Sequence, residues 1–254
     1  MDSIIHSLDP RLKLISAFCF FILLFAIPNF WGYAVAAAFI TALVIMSRVP
    51  LSFIFRGLRG IFAILVFTVI FTIFFTPGET ALLSAGIIKI TAEGLYMAAR
   101  ILTRLTLLML ISSELTLTTS PIQLTDAIEF WLKPLKKIRV PAHEIAMMMT
   151  IALRFIPVLL EETEKIIKAQ KARGADLDTG GLIKKAKGLT PILVPLFVSA
   201  FRRADDLALA MESRCYRGDV GRTRMKTLAF SKTDYIAAAV LAGFVILTAA
   251  TFAV

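Results

Sequence analysis

Residues 14–46 read LISAFCFFILLFAIPNFWGYAVAAAFITALVIM, two apolar runs parted only by Pro28-Asn29. Neither run holds a charged residue. Proline cannot continue a helix interior, and Asn favours turns, so the pair reads as two helices joined by a tight turn. Three more runs of this kind follow. The five stretches are Leu14 to Ile27, Trp31 to Met46, Ile61 to Thr76, Ile101 to Leu117 and Tyr235 to Val254. The first four fall short of the roughly 20 residues that a full membrane crossing takes, but flanking Ser, Thr and Gly extend each of them.

Composition supports the membrane reading over a soluble helical core. Of 254 residues, 58% are hydrophobic, and the mean hydropathy is +0.81. Soluble domains sit near about 45–50% apolar, and a soluble fold of this size cannot hide the excess. Twenty Phe against two Trp also suit lipid-facing helices. The opening Met1-Asp2-Ser3-Ile4-Ile5-His6 has no basic region and no small-residue cleavage site, so no removable leader is expected.

The net charge of +10 is unevenly placed, with 20 of the 28 Lys and Arg between Lys133 and Lys232. In a membrane protein such a block is expected in the cytoplasm. The segment from Ser47 to Gly60 carries Arg48, Arg56 and Arg59, and the N-terminal flank carries Arg11 and Lys13. The Pro28 turn has no basic residue, and Pro77 to Gly94 has only Lys89. This alternation puts the N-terminus in the cytoplasm and the C-terminus outside. Arg100 and Arg104 lie toward the outer end of the fourth span, where snorkelling or local packing explains them better than a substrate site.

The basic block has its own organisation. Ser120-Pro121 reads as a helix start, with an amphipathic helix running to about Ile138. Val140-Pro141 breaks it. A long helix from about His143 to Lys171 has an apolar first half and a charged second half. Gly174 ends it, and Gly180-Gly181 marks a loop. A second long helix, from about Lys184 to Cys215, repeats the design with Pro191 and Pro195 inside. The apolar halves, which include Met147, Met148, Ile151 and Phe155 on the first helix and Leu193, Leu196 and Phe197 on the second, are too short to span. They are also too apolar for a soluble surface, so they predict helices dipping into the membrane face or packing on another apolar surface.

The two long helices end alike. Ala172-Arg173-Gly174 closes the first and Ser213-Arg214-Cys215 the second, 41 residues on. In each, small residues flank an arginine near a helix C-terminus. Small neighbours let another backbone come close, and the guanidinium can then fork onto carboxylates or helix-end carbonyls. The plainer alternative is that each arginine caps its own helix, as the helix dipole favours.

These ends, together with Leu8-Asp9-Pro10-Arg11, Leu117-Thr118-Thr119-Ser120-Pro121, Ala152-Leu153-Arg154-Phe155-Ile156-Pro157 and Phe197-Val198-Ser199-Ala200-Phe201-Arg202-Arg203-Ala204, resemble one family along essentially the whole chain. It is the T component of energy-coupling factor (ECF) transporters, the membrane subunit related to the cobalt transporter protein CbiQ. Ser213 and Cys215 depart from the Ala and Gly of the family's second signature, though both remain small. The resemblance implies an all-α polytopic membrane protein in three parts: four spans over 1–119, a cytoplasmic coupling domain over 120–232 and a last span over 233–254. It implies that Ala172, Arg173, Gly174, Ser213, Arg214 and Cys215 contact two cytoplasmic ABC-type ATPases. The apolar faces with Met147, Met148, Ile151, Phe155, Leu193, Leu196 and Phe197 would carry a membrane S component that captures a vitamin or metal.

No cofactor is expected on this chain. It has no G-x-x-x-x-G-K-[ST] loop, so ATP and Mg would be bound by the partner ATPases. His6 and His143 are the only histidines, and neither stands in a metal-ligand or catalytic pattern. The well-separated Cys19 and Cys215 predict neither a disulfide nor a metal site. A membrane enzyme would need more intramembrane machinery than Glu114 and the outer arginines. A self-contained transporter would need more spans and an inverted repeat. Nucleic-acid binding would explain the basic block but not the five spans, so no nucleic-acid partner is expected.

Overall fold

The computed structural model describes residues 3–78, 80–85, 88–174, 182–218 and 229–251. It is an all-α polytopic protein apart from one small β-hairpin. The chain divides into two units, Met1–Ala127 with Thr227–Val254, and Ile128–Lys226.

The first unit holds the five apolar runs as single helices. After a short turn, α1 (Ile4–Ser7), come α2 (Pro10–Ala26), α3 (Phe30–Ser47), α4 (Leu51–Phe75) and α5 (Ala92–Thr118), with α9 (Lys232–Ala250) closing the unit. By length and composition α3, α5 and α9 can cross a membrane, as can α7 (Ala142–Ala172) of the second unit. The 17 residues of α2 fall just under that length, whereas α4 runs to 25 residues with no charge from Gly60 to Phe75.

Where α2, α3, α5 and α9 meet, Phe20, Leu24, Tyr33, Ile40, Leu107, Ile111 and Phe244 form a buried core. The Phe244 ring stacks on Phe39 at 4.3 Å and on Phe20 at 5.2 Å. Lipid tails are as apolar as these side chains, so what holds such a core together is close packing rather than escape from water. Arg104 is absorbed locally. Its Nε donates to the Tyr33 hydroxyl at 2.9 Å, and its guanidinium lies 5.2 Å from the Phe25 ring centre. Arg100 points a nitrogen at the Pro28 carbonyl, 3.5 Å away.

Three features differ from the sequence reading. The apolar half of α7, read as too short to span, belongs to a helix that is long and apolar enough to cross a membrane. The third span starts at Leu51, not Ile61, so Arg56 and Arg59 stand on the first turns of α4 and not in a loop. Pro50 precedes the first helical residue, a position where proline's fixed φ suits a helix start. The stretch read as a loop between the third and fourth spans contains an antiparallel pair, β1 (Ala81–Ala85) and β2 (Ile88–Thr91). Thr91 ends β2 and caps α5, its hydroxyl accepting from the Gly94 N–H. Glu79 lies outside the described residues.

The second unit is built on α6 (Pro121–Leu132, which straddles the boundary), a 3-10 stretch over Lys133–Ile138, α7, and α8 (Leu182–Ser213). Arg139 with φ 65° closes the 3-10 stretch. The His143 ring nitrogen Nδ1 lies 3.3 Å from Glu129 Oε1, pinning the start of α7 to α6. The Gly180-Gly181 loop, Ala175-Asp176 and Asp219 lie outside the described residues.

Candidate functional site

The paired helix ends can be built from the backbone outward. A helix leaves its last carbonyls without internal partners. At α8 the Cys215 N–H returns to the Glu212 carbonyl at 2.8 Å, and the Tyr216 N–H to the Met211 carbonyl at 3.0 Å. These are the two bonds of a Schellman ending, which needs a left-handed residue just past the cap. Cys215 supplies it, with φ 56°. At α7 the Gly174 N–H returns to the Lys171 carbonyl at 3.0 Å, and Gly174 has φ 81°. The third position of each signature is therefore the residue that turns the chain back. A Cβ built at Gly174 meets nothing within 4 Å, so within this chain its glycine serves φ rather than space.

Both endings close with backbone donors. The side chains of Arg173 and Arg214 are exposed and make no hydrogen bond or ion pair among the described residues. Arg173 is itself the C-cap residue of α7, so a favourable dipole contact remains open at that end, without a side-chain hydrogen bond. Ala172, Gly174, Ser213 and Cys215 are exposed beside them, and the Ser213 hydroxyl donates to its own helix at the Ala210 carbonyl, 3.0 Å away.

The two helices run antiparallel. Gln170 Nε2 donates to the Pro191 carbonyl at 3.3 Å, and Arg203 donates to Glu162 at 3.0 Å. At the other end Ile151 and Phe155 face Leu207 and Met211 across a groove of about 370 Å³. Residue numbers at facing positions sum to about 362, so Arg214 lies level with residue 148 of α7. Arg173 is about 25 residues further along, which at about 1.5 Å per residue holds the two tips roughly 35 Å apart along the pair. Near the middle, in the charged half of α7, the Ser199 hydroxyl and the Arg203 guanidinium both donate to the Glu162 carboxylate.

The apolar residues singled out from the sequence divide between two surroundings. Met148, Leu193 and Phe197 are 58%, 45% and 60% exposed. Val194, Val198 and Phe201 extend the α8 face at similar or greater exposure. Ile151 and Phe155 line the groove between the helices, and Met147 and Leu196 are half-buried.

A second constellation, in the first unit, carries the Leu8-Asp9-Pro10-Arg11 motif. Asp9 caps α2, accepting from the Arg11 N–H at 2.8 Å, and Pro10 takes the first helical position. The same carboxylate takes two bonds at 3.1 Å from the Arg11 guanidinium, which lies over the Phe230 ring. The Asp9 N–H donates to Asp234 Oδ1 at 2.8 Å, and Asp234 forms a capping box with Ser231 at the start of α9. Lys13 Nζ donates to the Thr118 carbonyl at 2.9 Å, where α5 ends. Ser47 donates to Glu114 at 3.3 Å. All six charged or hydroxyl side chains named first and last here (Asp9, Arg11, Lys13, Ser47, Glu114 and Asp234) are buried. The motif thus ties the start of α2 to the start of α9, and Lys13 beside it adds the end of α5. Sequence reasoning quoted it only as a family match, although an Asp before Pro at the head of an apolar run is itself a helix-start signal.

Among the described residues no group of three or more His, Cys, Asp or Glu is placed to hold a metal ion.

Fold and site together define a multi-pass helical membrane protein with a helix-pair unit that offers two exposed arginine ends. Residues 1–227 match the family model of the cobalt transport protein CbiQ. The energy-coupling factor transporter transmembrane protein EcfT of Ruminiclostridium cellulolyticum is 54% identical over 92% of this chain and 88% of its own. That of Clostridium kluyveri is 54% identical over 93% and 88%, and that of Heliobacterium modesticaldum 49% over 97% and 92%. The chain belongs to this CbiQ/EcfT family of transmembrane components of energy-coupling factor transporters.

Proposed function

We propose that this chain is the non-catalytic scaffold that couples two ATPases to an S component in a vitamin or metal importer. The observation that carries the reading is the antiparallel pair of long helices with one exposed, unpaired arginine at each far end. Two ends roughly 35 Å apart along the pair suit two separate subunits, one ATPase on Arg173 and one on Arg214. Each guanidinium, standing on a tight backbone-capped end between small residues, can enter a groove and fork onto carboxylates or helix-end carbonyls.

Closure of the ATPase dimer on ATP would change the spacing or crossing of α7 and α8 as rigid levers. The exposed apolar face of α8 with Leu193 and Phe197, and Met148 near the start of α7, would move with them and alter how the S component sits in the bilayer. The basic unit lies in the cytoplasm with the N-terminus, and the C-terminus lies outside. ATP and Mg belong to the partners, and the chain itself needs no cofactor.

The test is co-expression with candidate ATPases and purification through a tag on one of them. Wild type is expected to co-purify. Arg173→Ala and Arg214→Ala together are expected to abolish association or uncouple ATP hydrolysis from uptake, each single change weakening it about 10-fold or more, as for a forked arginine contact. Transport and association that survive the double change would sink the reading.

A further inference from the structure

In the membrane unit, α4 and α5 enclose a groove of about 560 Å³. Leu65 lies buried at its floor, with Phe62, Val66 and Ile70 of α4 and Leu102 of α5 exposed along it. Among the described residues only two polar side chains reach it. The Thr106 hydroxyl already donates to the Leu102 carbonyl at 2.8 Å, leaving no free donor for a guest. Arg59, at one end, is exposed and makes no hydrogen bond or ion pair among the described residues.

The dimensions decide what fits. From Arg59 to Ile70 the groove follows α4 for roughly 16 Å at about 1.5 Å per residue, which is about half of a ~30 Å hydrocarbon core. Arg59 is the last charged residue of α4, with none from Gly60 to Phe75, so the guanidinium stands at the headgroup level and the groove runs down through one leaflet. A polar guest would lose its hydrogen bonds along this wall. An alkyl chain needs none, and a phosphate at its head would meet a guanidinium built to fork onto it.

We propose that the groove between α4 and α5 seats one acyl chain of an anionic phospholipid, with its headgroup phosphate on Arg59. Zwitterionic phosphatidylcholine carries the same phosphate but adds a choline cation that the guanidinium repels, so the site selects phosphatidylglycerol-type lipid over zwitterionic lipid. It is distinct from the helix ends and from the apolar face of α8.

The experiment uses the full chain in nanodiscs of phosphatidylglycerol and phosphatidylcholine in equal parts. The lipid retained through mild detergent extraction is read by native mass spectrometry. Wild type is expected to keep phosphatidylglycerol in preference to phosphatidylcholine. Arg59→Gln is expected to lose that preference about fivefold, the weight of one interfacial cation. Arg48→Gln removes an exposed arginine that caps the C-terminal end of α3, outside the groove, and is expected to match wild type. Val66→Trp fills the groove and is expected to lose retained lipid of both kinds. Leu102→Phe fills it from the other wall, in case the tryptophan variant folds poorly. Equal losses in Arg59→Gln and Arg48→Gln would reduce Arg59 to general surface charge and overturn the proposal. So would lipid retention in both filled variants. If filling leaves lipid in place but blocks a small membrane partner, the groove is a protein-docking face and the lipid assignment fails.

Discussion

A left-handed φ is easy for glycine and costs an L-residue about 1–2 kcal/mol. The two signatures thus differ in one respect that stability can read: Gly174 turns α7 freely, whereas Cys215 holds φ 56° against its own Cβ. Part of that cost is returned because glycine loses more freedom on folding. Cys215→Gly is therefore expected to stabilise the end of α8 by about 0.5–1 kcal/mol, and Gly174→Ala to destabilise α7 by a similar amount. Hydrogen exchange at the amides of Cys215 and Tyr216, or of Gly174, measures each. Equal protection in variant and parent would show that φ is not what selects these residues. Asp9 belongs to the same scale. Removing its carboxylate strips the cap of α2 and both oxygens under the Arg11 guanidinium. Breaking a buried pair costs about 3–5 kcal/mol, so Asp9→Ala is expected to lower the unfolding midpoint in detergent sharply, with Lys13→Arg nearer to neutral.

At the scale of the element, antiparallel pairing of α7 and α8 makes a distance prediction. Spin labels on Ala172→Cys and Ser213→Cys, in a chain lacking Cys19 and Cys215, should report a separation near 35 Å or somewhat longer, from about 25 residues at about 1.5 Å each. A parallel pair would bring the tips within label contact, so a short distance would overturn the register. Much of this was readable in the sequence. The sequence places the bounds of α7 and α8 within about two residues, because Pro141 and Gly174 punctuate α7 and a switch from apolar to charged marks each helix. Their antiparallel register was not readable, since Glu162 and Arg203 meet only through the tertiary fold. The Asp9–Asp234 bond joins residues 225 apart, a pairing that one sequence without covariation does not encode. The hairpin of β1 and β2 was hidden for another reason: strands of 5 and 4 residues leave too short an alternation to stand out beside two long apolar runs.

At the scale of the whole molecule, the question is what covers the apolar surface that the chain leaves open. On α3 to α5 and α9 the bilayer covers it, as the length of those helices requires. On α8 the exposed residues Leu193, Phe197 and Phe201 repeat every fourth position, with Val194 and Val198 beside them. That makes one continuous face along the helix. A face of this kind on the unit that also carries 19 of the 28 basic residues supports the proposed docking surface, since a soluble monomer rarely leaves so large a patch bare. Leu193→Ser with Phe197→Ser is then expected to cut S-component association by about 100-fold, about 1.5 kcal/mol from each lost anchor. Co-purification with both ATPases should stay unchanged, because Arg173 and Arg214 lie at the helix ends and not on this face. Tagged pull-down of each partner class from one preparation separates the two. Loss of the ATPases alongside the S component would mean that α8 had unfolded or that one surface serves both. Retention of the S component would move its seat off α8 altogether.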